Sequence, residues 1–336
     1  MLPALSVLLP VRDQARYLPD CLASIRDQRF GNFEVVTVND GSTDATGQLL
    51  ASAAAGDARV RVLAGGGNGI VSALNMGLGA CRAPLVARMD GDDRMHPERL
   101  ARLVAGFARW PDTALLASRA QLFPAGLVGE GMRRYMRWQD GLMAPEAIAA
   151  DMFWEAPFVH PCVAFRRDIV MTAGSYRDGA FPEDYELWLR LHADGHVMRK
   201  LGSRLLQWRQ HGASLTRTDQ RYSRAAFDSV RFSYLGRFLA RRGRCRVVVW
   251  GAGRRTRQRA RRLLDAGIRV EAWVDIDPRK IGKYYDGAPV KPPSWLRQAR
   301  PETVLACVTK HGALERIGSA LDFMGFERGR DWWPVG

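Results

Sequence analysis

Four short apolar runs, each closed by a polar or turn-forming cluster, constrain this chain most. Ala4–Pro10, Phe33–Val38, Val60–Leu63 and Pro84–Met89 have the length of buried strands, and Pro, Gly, Asn or Asp ends each one. Between them come helical spacings: Leu18, Leu22 and Ile25 first, and later the stretch around Asn75-Met76-Gly77. Strand alternating with helix predicts a parallel sheet with right-handed crossovers. Such sheets bind ligands just beyond their strand ends, which is where the polar clusters fall. The last cluster, Asp90-Gly91-Asp92-Asp93, sets three carboxylates directly after a strand. Carboxylates so close repel one another and lose solvation unless a cation or donors neutralise them. Hard divalent ions such as Mg²⁺ and Mn²⁺ prefer such oxygen ligands. A solvated acidic turn before a helix near His96-Pro97 would also account for the triplet, which does not decide alone.

The formal net charge of +15 over 336 residues favours anionic partners: nucleotide diphosphates, nucleic acid or an acidic membrane surface. From Arg237 to Leu264 arginines abound and no acid occurs, which suits a solvated helical face or a binding patch. The five cysteines (Cys21, Cys81, Cys162, Cys245, Cys307) form no C-x-x-C. They suggest neither a zinc site nor a disulfide framework, and a reducing cytoplasm fits them. Met1–Val11 lacks a basic leader and reads as a strand rather than a signal peptide. No uncharged apolar stretch reaches spanning length. The expected location is cytoplasmic, with any membrane contact peripheral, at the inner face and to anionic lipid.

The middle, Gln121 to Pro161, is less regular and rich in Trp and Met. Arg166–Gly174 and Tyr185–His192 read as helices, and Asp219–Arg242 as a polar, basic helix. A new strand at Arg246–Trp250 then opens a second α/β unit. The expected domains are residues 1–243, including the trailing basic helix, and 244–336.

Several ordered motifs occur together: Pro10-Val11-Arg12-Asp13, Val38-Asn39-Asp40-Gly41-Ser42-Thr43-Asp44, Gly67-Asn68-Gly69 with Ala73-Leu74-Asn75-Met76-Gly77, and Arg88-Met89-Asp90-Gly91-Asp92-Asp93. Phe181-Pro182-Glu183-Asp184-Tyr185-Glu186-Leu187-Trp188 and Trp208-Arg209-Gln210-His211 follow. In this order they resemble the inverting glycosyltransferases of family 2, which have the GT-A fold. The resemblance covers roughly two thirds of the chain. It implies a nucleotide site at Pro10, Val11, Arg12, Asp13, Asp40, Gly41, Ser42, Asn68, Asp90 and Gly91, with Asp40 on the base. It implies a metal site, Mn²⁺ or Mg²⁺, at Asp90, Asp92 and Asp93, completed by His211. Asp184 is implied as the general base, supported by Glu183; helix capping would also place acids there. Many relatives carry an arginine at or near Leu74, and its absence here bears on which base is bound. Trp154, His160 and Trp188 are candidates for the acceptor site, although a buried Trp is the commoner case.

After residue 243, Val247-Val248-Val249-Trp250-Gly251-Ala252-Gly253 reads as a strand entering a glycine turn, and a second strand, Val270–Val274, ends at Asp275. This resembles a Rossmann-like nucleotide-binding unit, including those preceding sugar O-acyltransferase domains. Thr256 replaces the third glycine of the dinucleotide fingerprint. Arg254, Arg255 and Arg257 crowd a helix start, where they oppose its dipole unless an anion sits there. A degenerate scaffold is the expectation, with no NAD(P); an anion or nucleotide site is the alternative.

The function expected is transfer of a hexose or N-acetylhexosamine, with inversion, from a nucleotide-diphosphate donor (a UDP-sugar favoured) to a saccharide, lipid-linked, envelope or exopolysaccharide acceptor. A nicotinamide-dependent sugar-modifying enzyme acting through the C-terminal domain, or a basic scaffold protein, are the alternatives. No nucleic-acid-binding pattern occurs, so no nucleic acid is expected. The sequence leaves the sugar, the linkage and the oligomeric state open.

Overall fold

The computed structural model describes residues 2–308, Lys310 and residues 312–336. The chain forms two compact units. One comprises Met1–Pro145, Phe158–Gly179 and Gly195–Asp219; the other comprises Glu146–Pro157, Ala180–Asp194 and Gln220–Gly336.

The first unit is built on an eight-stranded sheet. Its strands are β1 (Leu5–Val11), β2 (Phe33–Asn39), β3 (Val60–Ala64), β4 (Leu85–Arg88), β5 (Arg94–Met95), β6 (Thr113–Phe123), β7 (Val163–Arg166) and β8 (Val197–Arg209). The order is β3-β2-β1-β4-β7-β6-β8-β5. β1 pairs in parallel with β2 and β4, and β2 with β3, as the alternating pattern predicts. β7 runs antiparallel to both β4 and β6. β1 is buried along its whole length, the mark of a strand covered on both faces. The helix Ile70–Ala80 lies tight against it at Gly77, where a Cβ would come within 2.3 Å of the Leu8 side chain. This mixed α/β architecture is the GT-A fold.

The stretch after β6 is more regular than its composition suggests. Helices span Glu130–Gly141 and Pro145–Asp151. Met136 and Gln139 are buried from the first, although its overall character is polar.

The second unit holds the helices Glu183–Ala193 and Arg224–Arg241 and a six-stranded sheet. The strands are β9 (Arg246–Trp250), β10 (Arg269–Val274), β11 (Tyr284–Tyr285), β12 (Ala288–Lys291), β13 (Val304–Ala306) and β14 (Trp332–Pro334), in the order β11-β12-β10-β9-β13-β14. All pairings are parallel except that of β11 with β12. The earliest strand, β9, lies inside and the chain winds outward on both sides. Val248, Val274, Val304, Leu321 and Trp332 pack in its core. After β9 the chain is α-helical over Arg254–Ala260 and tightens to a 3₁₀ helix at Arg261–Ala266.

Candidate active site

The site in the first unit is assembled at the C-terminal ends of β1, β2 and β4, where three parallel strands deliver three polar loops to one edge. The loops are laced by their own side chains. Asp13, in a left-handed conformation (φ 49°), accepts hydrogen bonds from Thr43 N at 2.7 Å and Thr43 Oγ1 at 3.2 Å. Asp13 N in turn donates to Ser42 Oγ at 3.0 Å, and Ala15 N to Asp44 Oδ2 at 3.0 Å. The Asp44 carboxyl lies below its ordinary range: burial opposes this, and the donors from Thr46 and Ala15 prevail.

Asp40 is buried, and its carboxylate accepts from Asn68 N at 3.1 Å and Gly69 N at 2.9 Å. It thus holds the loop after β3 onto the loop after β2. Gly41 (φ 71°) approaches Gly67 so closely that a Cβ would stand 3.1 Å from its Cα, and Gly67 itself has a φ of 72°, a backbone conformation that favours glycine. Arg12 is exposed and reaches Gly67 O at 3.4 Å. Pro10 and Val11 are buried in β1.

The loop after β4 carries the carboxylates. Ligand oxygens of Asp90, Asp92 and Asp93 lie within 4.8 Å of one another. Asp90 is paired with the Arg88 guanidinium. Burial raises its carboxyl above the ordinary range, Arg88 opposes, and the Asp92 charge adds to the rise. Asp93 is fully buried; burial first, then the charges of Asp92 and Asp90, push its carboxyl well above the ordinary value. Asp93 Oδ1 accepts from Arg209 N at 2.7 Å, whereas Oδ2, also buried, has no hydrogen-bond partner among the described residues. A buried oxygen without a donor is costly. Asp92 Oδ2 lies 2.7 Å from His211 Nε2. Clustered hard oxygens, one of them orphaned, with an imidazole on their rim fit a divalent cation.

Residues absent from the sequence-derived site, Arg209 first among them, complete it. Arg209, from the end of β8, donates through Nε to Asp92 O at 2.6 Å and through Nη2 to Asp20 Oδ2 at 2.9 Å. Its guanidinium lies 4.6 Å from the Tyr17 ring centroid and 4.4 Å from that of Phe123. The Tyr17 ring also meets His211, centroid to centroid at 5.0 Å. Asp20 is held below the usual carboxylate range, chiefly by its hydrogen bond from Arg94 and also by Arg209. Arg209 therefore ties the carboxylate loop to the strand that delivers His211. The only signal in sequence was its place two residues before His211.

His160 belongs to the first unit too. It is buried, and its Nε2 lies 3.0 Å from Tyr176 Oη. Burial, with Arg88 adding to it, lowers its pKa well below the ordinary value, so the ring is neutral. Tyr176 is itself anchored to Asn75 by two hydrogen bonds, Asn75 Nδ2 to Tyr176 O at 2.8 Å and Tyr176 N to Asn75 Oδ1 at 3.0 Å.

In the second unit, Glu183 and Asp184 open the helix Glu183–Ala193 after Pro182, a first turn suited to acids. Glu183 is buried and both its oxygens accept from Tyr222 Oη, at 2.9 and 2.8 Å. Asp184 is half-buried, and its Oδ1 accepts from Tyr185 N at 2.7 Å. Trp188 is fully buried, which leaves no ring face for a sugar in this structure, whereas Trp154 is partly exposed. At the end of β10, Asp275 accepts from Ala252 N at 2.9 Å and pairs with Lys280 Nζ at 2.9 Å.

Comparisons with known proteins bear on the family and the fold. Residues 6–173 match the family model described as glycosyl transferase family 2. The amylovoran biosynthesis glycosyltransferase AmsE of Erwinia amylovora is 31% identical over 61% of this chain and 75% of its own length. An Escherichia coli protein named UDP-Gal:alpha-D-GlcNAc-diphosphoundecaprenol beta-1,3-galactosyltransferase is 26% identical over 57% of this chain and 69% of its own. Among solved structures, S. aureus TarS 1–349 in complex with UDP-GlcNAc superposes with a TM-score of 0.54 at 18% identity, covering 71% of this chain and 73% of that one. The mannosyltransferase PcManGT from Pyrobaculum calidifontis, in complex with GDP-Man and Mn²⁺, gives 0.51 at 17% identity, covering 73% and 65%. No helix among the described residues is long and apolar enough to cross a membrane.

Proposed function

The chain belongs to glycosyltransferase family 2 and is a transferase, and from that premise we propose how it works. It moves a sugar with inversion from a nucleotide-diphosphate donor, a UDP-sugar favoured, to a saccharide or lipid-linked acceptor in polysaccharide or envelope synthesis, on the cytoplasmic side. The names of AmsE and the galactosyltransferase support the acceptor class. The UDP-GlcNAc and GDP-Man complexes of the structural neighbours support the donor class.

The observation that carries the reading is the orphaned Asp93 Oδ2 within the carboxylate cluster. Asp90, Asp92 and Asp93, with His211, would hold Mn²⁺ or Mg²⁺. Such an ion, when bound, neutralises charge that develops on a departing diphosphate. Arg209 keeps the cluster and His211 in one arrangement. The Asp13–Thr43 and Asp40–Asn68 bonds shape the nucleotide loops, leaving Arg12 exposed to stack on a base or meet phosphate. Asp184 accepts the proton of the acceptor hydroxyl. Glu183, with both oxygens turned to Tyr222, supports the helix start rather than taking that proton.

The second unit is a Rossmann-like scaffold in this reading. The carboxylate that would hold a ribose, Asp275, is already engaged by Ala252 and Lys280. Donor hydrolysis across UDP-, GDP- and dTDP-sugars, with Mn²⁺ and with EDTA, tests the proposal. UDP-sugar turnover that disappears with EDTA supports it. Undiminished turnover in EDTA rejects the metal, and no turnover of any nucleotide sugar rejects the donor class.

A further inference from the structure

The ends of β9, β10 and β12 lie side by side, since these strands are parallel neighbours. Adjacent strand ends stand about 5 Å apart, so the residues that follow them share one edge. Ile276, just after β10, is 76% exposed, and Tyr284, on the hairpin strand beside β12, is 72% exposed. Large apolar side chains this far out of the protein contribute nothing to its core. Around them stand Arg254 and Arg255, which follow β9, and Lys283, which precedes Tyr284; all three are exposed. None of the three pairs with a carboxylate among the described residues. The acids of these loops are already balanced, Asp275 by Lys280 at 2.9 Å and Asp277 by Arg279 at 3.1 Å. Glu315, on the β13 side, is the exposed exception.

We propose that this edge of the six-stranded sheet docks on an anionic lipid bilayer, with Ile276 and Tyr284 entering the interface and Arg254, Arg255 and Lys283 facing the headgroups. Unbalanced cations beside protruding apolar and aromatic groups combine the two attractions that hold proteins on such surfaces. A protein partner of matching acidity would need a complementary apolar seat; a bilayer supplies both chemistries without one. The proposal concerns the second unit alone and is independent of the donor chemistry above.

The test is co-sedimentation of the full chain with vesicles of phosphatidylcholine, with and without phosphatidylglycerol. The expected result is binding to the anionic vesicles and little to the neutral ones. The triple variant Arg254→Ala, Arg255→Ala, Lys283→Ala loses about fivefold in partitioning per charge removed. Ile276→Ser with Tyr284→Ser also weakens binding, at unchanged net charge. A separate variant, Tyr284→Trp, should show a blue-shifted emission when anionic vesicles are added, a readout that does not depend on loss of binding. Equal binding to both vesicle types would overturn the proposal, as would no change with either set of substitutions or no spectral shift. So would tight binding of a duplex oligonucleotide with none to vesicles, which would mark the edge as a nucleic-acid surface.

Discussion

Two strand ends in this molecule carry acids in similar surroundings and treat them in opposite ways. After β10, Asp275 receives Ala252 N and Lys280 Nζ, so its charge is balanced within the fold, and its carboxyl lies below the ordinary value despite burial. After β4, Asp90 and Asp93 are raised by burial and by the Asp92 charge, Arg88 offsets part of this at Asp90, and Asp93 Oδ2 is without a donor among the described residues. Both arise from the same element, a parallel strand entering a polar loop. An acid at a strand end therefore does not define a ligand site. The distinguishing feature is whether the protein supplies the compensating charge itself.

The comparison breaks most sharply under paired substitutions. Asp92→Asn should abolish metal-dependent donor turnover with the fold intact, while Asp275→Asn should leave turnover unchanged and lower stability by about 1–3 kcal/mol. Turnover rates beside thermal melts decide this; a surviving Asp92→Asn activity would remove the distinction. Next in size is the base. Asp184→Asn should lower glycosyl transfer about 10²–10⁴-fold with nucleotide affinity little changed, and Glu183→Gln should be milder. Equal losses of transfer and affinity for Asp184→Asn would instead assign it to donor binding.

Arg209→Gln sharpens the account of how the carboxylates are held. It keeps the backbone bond to Asp93 but removes those to Asp92 O and Asp20. Residues that orient metal ligands typically matter about 10–100-fold, so Mn²⁺ affinity should weaken by that order, measured by the loss of free-Mn²⁺ signal in electron paramagnetic resonance. Unchanged affinity would reduce Arg209 to packing.

The smallest effect concerns a buried cation away from both strand ends. Lys200 Nζ donates to Gln139 O at 2.7 Å, and burial lowers its pKa from 10.5 to about 7. Between those values the unfolded chain binds the extra proton, so stability should rise as pH increases from about 7 towards 10.5. Lys200→Met should remove part of that rise, by roughly 1–4 kcal/mol between the two ends. Urea melts across that range check it, and an unchanged pH profile would show that Lys200 contributes none of the slope.

What was legible in sequence was local. Asp90, Asp92 and Asp93 announce themselves because three acids adjoin one apolar strand, and β1, β2 and β4 because their runs are short and closed by turn residues. The Asp40 loop was legible as a turn, but its bonds to Asn68 and Gly69 depend on the neighbouring strand. Arg209 and Asp20 were not legible as partners: 189 positions separate them, and the pairing of β8 with β5, the strand directly after the carboxylates, brings that strand end to the cluster. Tyr222 was likewise invisible as the donor to Glu183, 39 positions away. Trp188 is a candidate for the acceptor site in sequence, but its helix turns that ring into the core. Hydrophobicity in sequence does not say which large ring a fold will bury.

The most direct test of the central claim is the Mn²⁺ stoichiometry of the full-length protein, titrated with and without UDP, for wild type, Asp92→Asn and Asp275→Asn. The account predicts one site in wild type that UDP tightens, its loss in Asp92→Asn and its retention in Asp275→Asn. Mn²⁺ binding that is indifferent to Asp92 yet lost with Asp275 would contradict it.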